Sequence, residues 1–225
     1  MNIRHHIVIL GAAMVFLPVT ALADNSGWYV AADVGQSHFT GNEYPKNTFV
    51  TRAPFTDTDT GYRLAAGYQF NSYWGLEASY LDFGQITGKE DYVNPGGCMQ
   101  VCFAPSSYYI NEGFKTYGWS FEFTGTYPFN EHWSVFARAG AIDARSDSNV
   151  SDTPIPPYES GEQTFYTSYS STNLSSTYGF GINWAFADRW GVRLSLDRYS
   201  NLLDDHNFSG TYSVNLATLG VFYRF

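Results

Sequence analysis

Cysteine is close to absent. The chain has two, Cys98 and Cys102, in a stretch rich in Gly, Pro and Asn, and closing so short a loop stiffens its tip while adding little to global stability. A local disulfide between them is the expected state in an oxidising compartment, and two thiols with no neighbouring His make a poor metal site. Long apolar runs are missing as well. Beyond the N-terminus no stretch reaches the roughly 18 uninterrupted apolar residues of a membrane-spanning helix. Bases are scarce too, with 12 Lys and Arg against 21 Asp and Glu for a net charge of −9. Phosphate-backbone binding needs clustered cations, so nucleic acid is not an expected partner.

Aromatic residues and glycine are plentiful: 18 Tyr, 18 Phe, 6 Trp and 21 Gly. That composition suits strands and turns better than helices. The N-terminus reads separately. Arg4 precedes a mostly apolar run from Ile7 to Leu22, and Ala21-Leu22-Ala23 has the small-x-small pattern of a secretory cleavage site. Residues 1–23 are therefore expected to be a removed signal peptide rather than a permanent anchor, and residues 24–225 a single exported domain.

Three times the chain runs from Phe to a Trp four residues on, followed by a small residue and a branched aliphatic: Phe70 to Leu76, Phe129 to Val135 and Phe186 to Val192. Each copy lies between stretches of alternating apolar and polar residues, as in a tight hairpin. The alternation holds over eight segments, 28–35, 62–70, 74–80, 119–127, 133–141, 178–186, 190–197 and 217–225. On every one the apolar face is free of charge over its centre. Asp33, Arg63, Glu77, Glu122, Arg138, Arg193 and Asp197 all fall on the opposite face. In a soluble sandwich the charged face would be the outer one. Here the large aromatics gather at strand ends instead. Trp28, Trp74, Trp133 and Trp190 open odd-numbered segments, with Trp184, Tyr127 and Tyr223 near the same end of even ones. Tyr62, Tyr80, Tyr117, Trp119, Tyr178 and Tyr212 supply a second ring. Two such rings are the interfacial girdles of a transmembrane barrel, with lipid outside and a polar lumen inside.

Connection lengths agree. The links after the second, fourth and sixth segments are the short Phe-to-Trp turns. Those after the first, third, fifth and seventh are long and polar, at about 40–58, 85–113, 144–172 and 201–210. Short turns alternating with long loops on an even number of strands predict an all-β, eight-stranded antiparallel barrel of a Gram-negative outer membrane, with both termini in the periplasm.

Gly61 to Phe70, the stretch from Tyr127 to Gly140, and the closing Leu219-Gly220-Val221-Phe222-Tyr223-Arg224-Phe225 resemble the OmpA-like transmembrane domain family. The resemblance covers the chain from about Gly27 apart from the loops. It implies a barrel whose last strand, through Leu219, Val221, Tyr223 and Phe225, resembles the signal read by the barrel-assembly machinery. In OmpA the barrel is followed by a peptidoglycan-binding domain; this chain stops at its last strand, so tethering to the cell wall is not implied, and stand-alone barrels of the adhesin and invasion type are equally good relatives.

The lumen of so small a barrel has room only for its own side chains. By height, Glu77, Glu122 and Arg138 are expected to meet, as are Asp33 with Arg63 and Arg193 with Asp197, in a structural charge network. Building a pore from the same groups is the alternative. His132-Trp133-Ser134 has the His-x-Ser spacing of lipid A deacylase barrels, but it lies in a periplasmic turn, away from an outer-leaflet substrate, and His38 and His206 have no matching Ser and Glu pattern. No catalytic residue, cofactor or metal is expected; Asp57-Thr58-Asp59 and Asp204-Asp205 fall short of a calcium motif. The long loops carry Tyr108-Tyr109, Pro154-Ile155-Pro156-Pro157-Tyr158 and Tyr166-Thr167-Ser168-Tyr169, residue types suited to protein contact. The expectation is a monomeric, non-catalytic envelope barrel. Its partners are outer membrane lipids, lipopolysaccharide and, at the loops, a host or surface ligand.

Overall fold

The structure is a computed structural model in which residues 26–41, 50–52, 57–94, 97–98, 102–103, 106–154, 164–204 and 211–225 are described. The signal peptide, His206, Asp205 and residues 155–158 lie outside them. Eight long strands follow in order: β1 (Gly27–Gly41), β2 (Thr58–Gln69), β3 (Trp74–Asn94), β4 (Ser106–Pro128), β5 (Trp133–Pro154), β6 (Phe165–Ala185), β7 (Trp190–Asp204) and β8 (Thr211–Arg224). Each pairs antiparallel with the next, and β8 pairs with β1 along its length from Tyr29↔Arg224 to Gly41↔Tyr212. The sheet is thereby closed into a barrel with no free edge through its middle, the only form in which strands cross lipid with every backbone group paired.

The three repeated turns fold alike. The N–H of Phe70, Phe129 and Phe186 donates to the carbonyl of Trp74, Trp133 and Trp190 at 2.8, 2.9 and 3.2 Å. In the first two copies an Asn completes the turn. Asn71 Oδ1 accepts from the amides of Tyr73 and Trp74, and Asn130 Oδ1 from those of His132 and Trp133, all at 2.8–2.9 Å. This is the local side-chain mimicry for which Asn is favoured in turns. The third copy has Ala187 there and makes no such contact.

The faces sort as the alternation requires. Leu64, Leu76, Phe121, Phe180, Leu194 and Leu219 stand 50–67% exposed on the outer surface, while Asp33, Arg63, Glu77, Glu122, Arg138, Arg193 and Asp197 are buried inside. Two expectations are corrected. The strands run well past the expected ends: β4 has 23 residues, about 75 Å of chain, against the roughly 9–11 residues that cross a bilayer. Most of the stretches read as loops at 85–113 and 144–172 are paired ribbon, from Gln85↔Lys115 to Asn94↔Ser106 and from Arg145↔Thr172 to Asp152↔Phe165. A three-residue strand, Val50–Arg52, extends this sheet beside β3.

The second correction concerns the lumen, which is not polar throughout. Phe39, Leu81, Phe83, Ile86, Ile142, Ala144, Tyr199, Leu202, Val214 and Leu216 form a buried apolar cluster in its hairpin-end half. Eight of these are inward by the ordinary alternation of their strands, and two strand irregularities add Ile86 and Leu202. Gly84, at φ 80°, shifts the β3 register between Asp82 and Gln85, turning Ile86 inward; Asn201, at φ 57°, sits in the β7 shift between Tyr199 and Leu203, turning Leu202 inward. The β3 bulge adds one residue and so exchanges the two faces beyond it, whereas the β7 shift adds two, from Tyr199↔Val214 to Leu203↔Tyr212, and turns Leu202 inward only within the irregularity.

Candidate functional site

At mid-height three arginines and four carboxylates meet inside the barrel. Arg138 donates to Asp197 through Nε at 2.7 Å and Nη2 at 2.5 Å, and to Glu77 through Nη1 at 3.3 Å. Arg193 grips both oxygens of Asp33 and donates to Glu77 Oε2 at 2.9 Å. Arg63 contacts Glu77 and donates to Glu122 at 2.5 Å. Tyr29, Ser79, Thr177 and Ser195 supply further hydrogen bonds to the same groups. Bidentate pairing with extra hydrogen bonds is what makes buried charge tolerable.

All seven residues expected in the lumen are there, and Glu77, Glu122 and Arg138 do meet. The other expected pairs are exchanged. Asp33 sits opposite Arg63 in the β1/β2 register, yet its carboxylate is taken by Arg193; Asp197, expected beside Arg193, is held by Arg138. Glycine decides this. Gly220 of β8 lies in register between Asp33 and Arg193, and Gly179 of β6 between Arg138 and Asp197. A Cβ at either glycine would collide with the Asp33 or Asp197 carboxylate. Each ion pair thus bridges over a strand that has no side chain at that height. A glycine flanked in register by opposite charges on both neighbours was the signal available in the sequence, and it needs the strand register to be read.

Above the charges lies the apolar cluster, with Phe83 and Tyr199 packed edge to face at 4.8 Å. Below them, at the turn end, the lumen opens into a cavity of about 290 Å³ whose inner wall includes Glu77, Arg193, Thr124 and Arg224.

Outside, the turn-end girdle is made of paired rings. Trp133 and Trp184 stack at 5.8 Å, Trp74 stacks on Phe123 at 5.2 Å, Trp28 meets Tyr68 at 5.1 Å and Trp190 meets Tyr223 at 4.9 Å. Offset or edge-on pairs at these spacings are favourable beyond the area they cover. In the second ring Tyr62, Tyr80, Tyr117, Trp119 and Tyr178 face outward, Tyr80 meeting Trp119 at 5.3 Å. Tyr212 does not belong to it. It shares the inward side of β8 with Val214 and Leu216 and packs 6.5 Å from Phe114. Leu219, Val221, Tyr223 and Phe225 all lie on the outer face of the strand that closes the barrel, and the Phe225 amide donates to Trp28 O at 3.0 Å.

Cys98 and Cys102 are backbone neighbours in a short ribbon; their side chains lie outside the described residues. His132 is exposed on its turn, whereas Ser134 points into the lumen beside Asn183, so the His-x-Ser spacing brings no pair together. His38 lies 3.6 Å from Asp57 near the hairpin end.

The model of the OmpA-like transmembrane domain matches residues 23–225. Outer membrane protein A of Shigella dysenteriae is 24% identical over 219 residues, covering 97% of this chain and 54% of that protein. Outer membrane protein A of Serratia marcescens is 26% identical over 207 residues, covering 90% and 50%. The chain spans about half the length of the curated relatives it matches. Among solved structures, Ail, the attachment invasion locus protein of Yersinia pestis, is 20% identical, with 88% of this chain and 99% of that one covered at a TM-score of 0.48. Neisserial surface protein A is 12% identical, with 89% and 98% covered, also at 0.48.

Proposed function

Because the chain belongs to the OmpA-like transmembrane domain family, we propose that it is a closed, non-catalytic barrel of the outer membrane that supports envelope integrity and offers its outer hairpins to surfaces beyond the cell. One observation carries the reading: the lumen is blocked twice, by the interlocked charges and by the apolar cluster above them. A lumen stopped by both polar and apolar contacts serves as a stiff plug in the bilayer. Its partners are outer membrane lipids and lipopolysaccharide, a reading that the apolar belt and the girdles support. Since every barrel strand is paired on both sides at membrane height, a single copy suffices. The outward faces of Leu219, Val221, Tyr223 and Phe225 are free to be read by the barrel-assembly machinery during insertion. Residues 1–23 are its cleaved export signal.

Support for contact at the outer end comes from β6. Phe165, Tyr166 and Tyr169 are exposed, and β6 pairs with β7 only as far as Ser176↔Ser200, which leaves its outer stretch paired on the β5 side alone among the described residues. Aromatic side chains beside an open strand edge suit a protein ligand.

A deletion strain complemented with the intact protein, or with a version whose four outer connections are cut to short turns, tests both halves. Each version must first show the heat-dependent gel shift of a folded barrel. Equal recovery of detergent resistance assigns the envelope role to the barrel, and loss of adherence in the trimmed version alone assigns adhesion to the hairpins. No envelope defect on deletion would sink the first half, and equal adherence by both versions the second.

A porin-like pore is the second reading. In its favour, Arg138 lies within 4 Å of three carboxylates, Asp197, Glu77 and Glu122, so its partners are exchangeable. Steady conductance steps in planar bilayers would establish it.

A further inference from the structure

Where β6 leaves β7, the wall of the barrel forks. The two strands pair from Ala185↔Gly191 to Ser176↔Ser200 and part at Asn201, which sits at φ 57° and whose carbonyl accepts from Asn173 Nδ2 and Ser175 Oγ, each at 2.7 Å. Beyond the fork β7 pairs with β8 alone, through Leu203↔Tyr212 and Asp204↔Thr211, where its hairpin closes. β6 runs on, held by β5 as far as Asp152↔Phe165. Its other edge, from Phe165 to Thr172, has no strand beside it among the described residues. At roughly 3.3 Å per residue this is about 26 Å of alternating N–H and C=O groups that no neighbouring strand satisfies.

The opposite edge of the same outer sheet is guarded. There the strand Val50–Arg52 lies against β3 at Glu90, Asp91 and Tyr92, two of which are charged. Sheet edges are ordinarily protected by a covering segment, a charge, a proline or a bulge. Phe165-Tyr166-Thr167-Ser168-Tyr169-Ser170-Ser171-Thr172 carries no Asp, Glu, Lys, Arg or Pro, and its register with β5 is unbroken. An uncharged run of this kind stands out in a chain with 21 Asp and Glu. Its large side chains are exposed on both faces, Phe165 and Tyr169 on one and Tyr166, 81% exposed, on the other.

These features select the occupant. Only a polypeptide supplies evenly spaced amide donors and acceptors to match the edge, and only an uncharged one avoids placing a charge where β6 has no counter-charge. Thr, Val and Ile opposite the serines and tyrosines would make the favourable cross-strand pairs. A second copy is the less suited occupant, since a net charge of −9 sets copies against each other.

We propose that β6 takes up an extended, uncharged segment of a partner polypeptide as an added strand, paired backbone to backbone along Phe165–Thr172. The inference rests on the adhesion half of the function proposed above and names how that contact is made. The probe is a nine-residue peptide of alternating Thr and Val between terminal lysines, capped at both ends and titrated into the full barrel in lipid nanodiscs. Hydrogen exchange is read by amide NMR. Before the peptide is added, alternate amides from Phe165 to Thr172 should exchange freely, because they face the open edge, while those between them, bonded to β5, are protected. Saturating peptide should slow the free set by more than about tenfold. The same peptide N-methylated at two adjacent central residues, which removes a donor from each of its edges, should bind at least about tenfold more weakly.

The proposal is overturned if the peptide gives no saturable shift at up to about 5 mM, a millimolar-range ceiling for so short a strand. Shifts without slowing of the alternate amides would mean side-chain contact only and overturn it as well, as would equal binding of the N-methylated peptide. If the alternate amides are protected before any peptide is present, the edge is filled by the chain itself or by a second copy, and the added strand is ruled out. Adherence of the trimmed version is read separately: failure here with adherence still dependent on the hairpins removes this inference and leaves the adhesion reading standing.

Discussion

Arg138 of β5 and Asp197 of β7 are joined by two parallel hydrogen bonds, at 2.7 and 2.5 Å, across the strand that separates them. The pair exists because Gly179 lies between the two positions. Removing one partner of a buried pair strands the other, at a cost of about 3–5 kcal/mol. Asp197→Asn should therefore lower the urea midpoint of the folded barrel by an amount in that range, and combining it with Arg138→Met should recover part of the loss. An additive double variant would mean that the two side chains are not coupled.

Gly179→Ala makes the same break without touching a charge. The new Cβ would meet the Asp197 carboxylate, so Arg138 and Asp197 must part or the strands must shift. Overpacking of this kind costs about 1–3 kcal/mol. If Gly179→Ala unfolds at the wild-type urea concentration, the glycine gap is not what lets the pair form.

The third repeated turn differs from the others in having Ala187 where they have Asn71 and Asn130. Ala187→Asn would place an Oδ1 to accept from the amides of Arg189 and Trp190, as the other two copies do with theirs. A gain of about 0.5–1.5 kcal/mol is expected. Asn130→Ala should lose a similar amount. The two effects are read from unfolding midpoints, and a destabilised Ala187→Asn would refute the equivalence of the turns.

Phe83 packs on Tyr199 within the apolar half of the lumen. Phe83→Ala should cost about 3–5 kcal/mol through the cavity it leaves and yet give no conductance in planar bilayers, because the charge network still spans the lumen below. Steady channel steps from this single variant would show that the two blocks do not act in series.

Much of this was legible in the chain itself. A period of two fixes which side chains share a face, so Asp33, Arg63, Glu77, Glu122, Arg138, Arg193 and Asp197 were bound to lie together on the side away from lipid, and the tryptophans at strand starts were bound to form a ring. Three copies of one turn motif placed the short connections and hence the order of the barrel. These are properties of single strands and adjacent residues, and alternation reports them directly. The sequence also holds a face assignment that was misread: Tyr212 has the parity of Val214 and Leu216, on the inward side of an unbroken β8.

Tertiary structure alone decided what meets what. Which carboxylate each arginine takes depends on the register of three strands at once and on a glycine gap in the middle one, as for Asp33 with Arg193 across Gly220. The inward turn of Ile86 and Leu202 depended on strand irregularities at Gly84 and Asn201, whereas Phe39, Leu81, Phe83, Ile142, Ala144, Tyr199, Val214 and Leu216 lie on the lumen face by the plain alternation of their strands. The long ribbons past the membrane were hidden for another reason. Their composition is polar and rich in Gly, Ser and Asn, with no sustained apolar alternation, and the residues of 85–113 and 144–172 look like loop until pairing with the neighbouring strand makes them sheet.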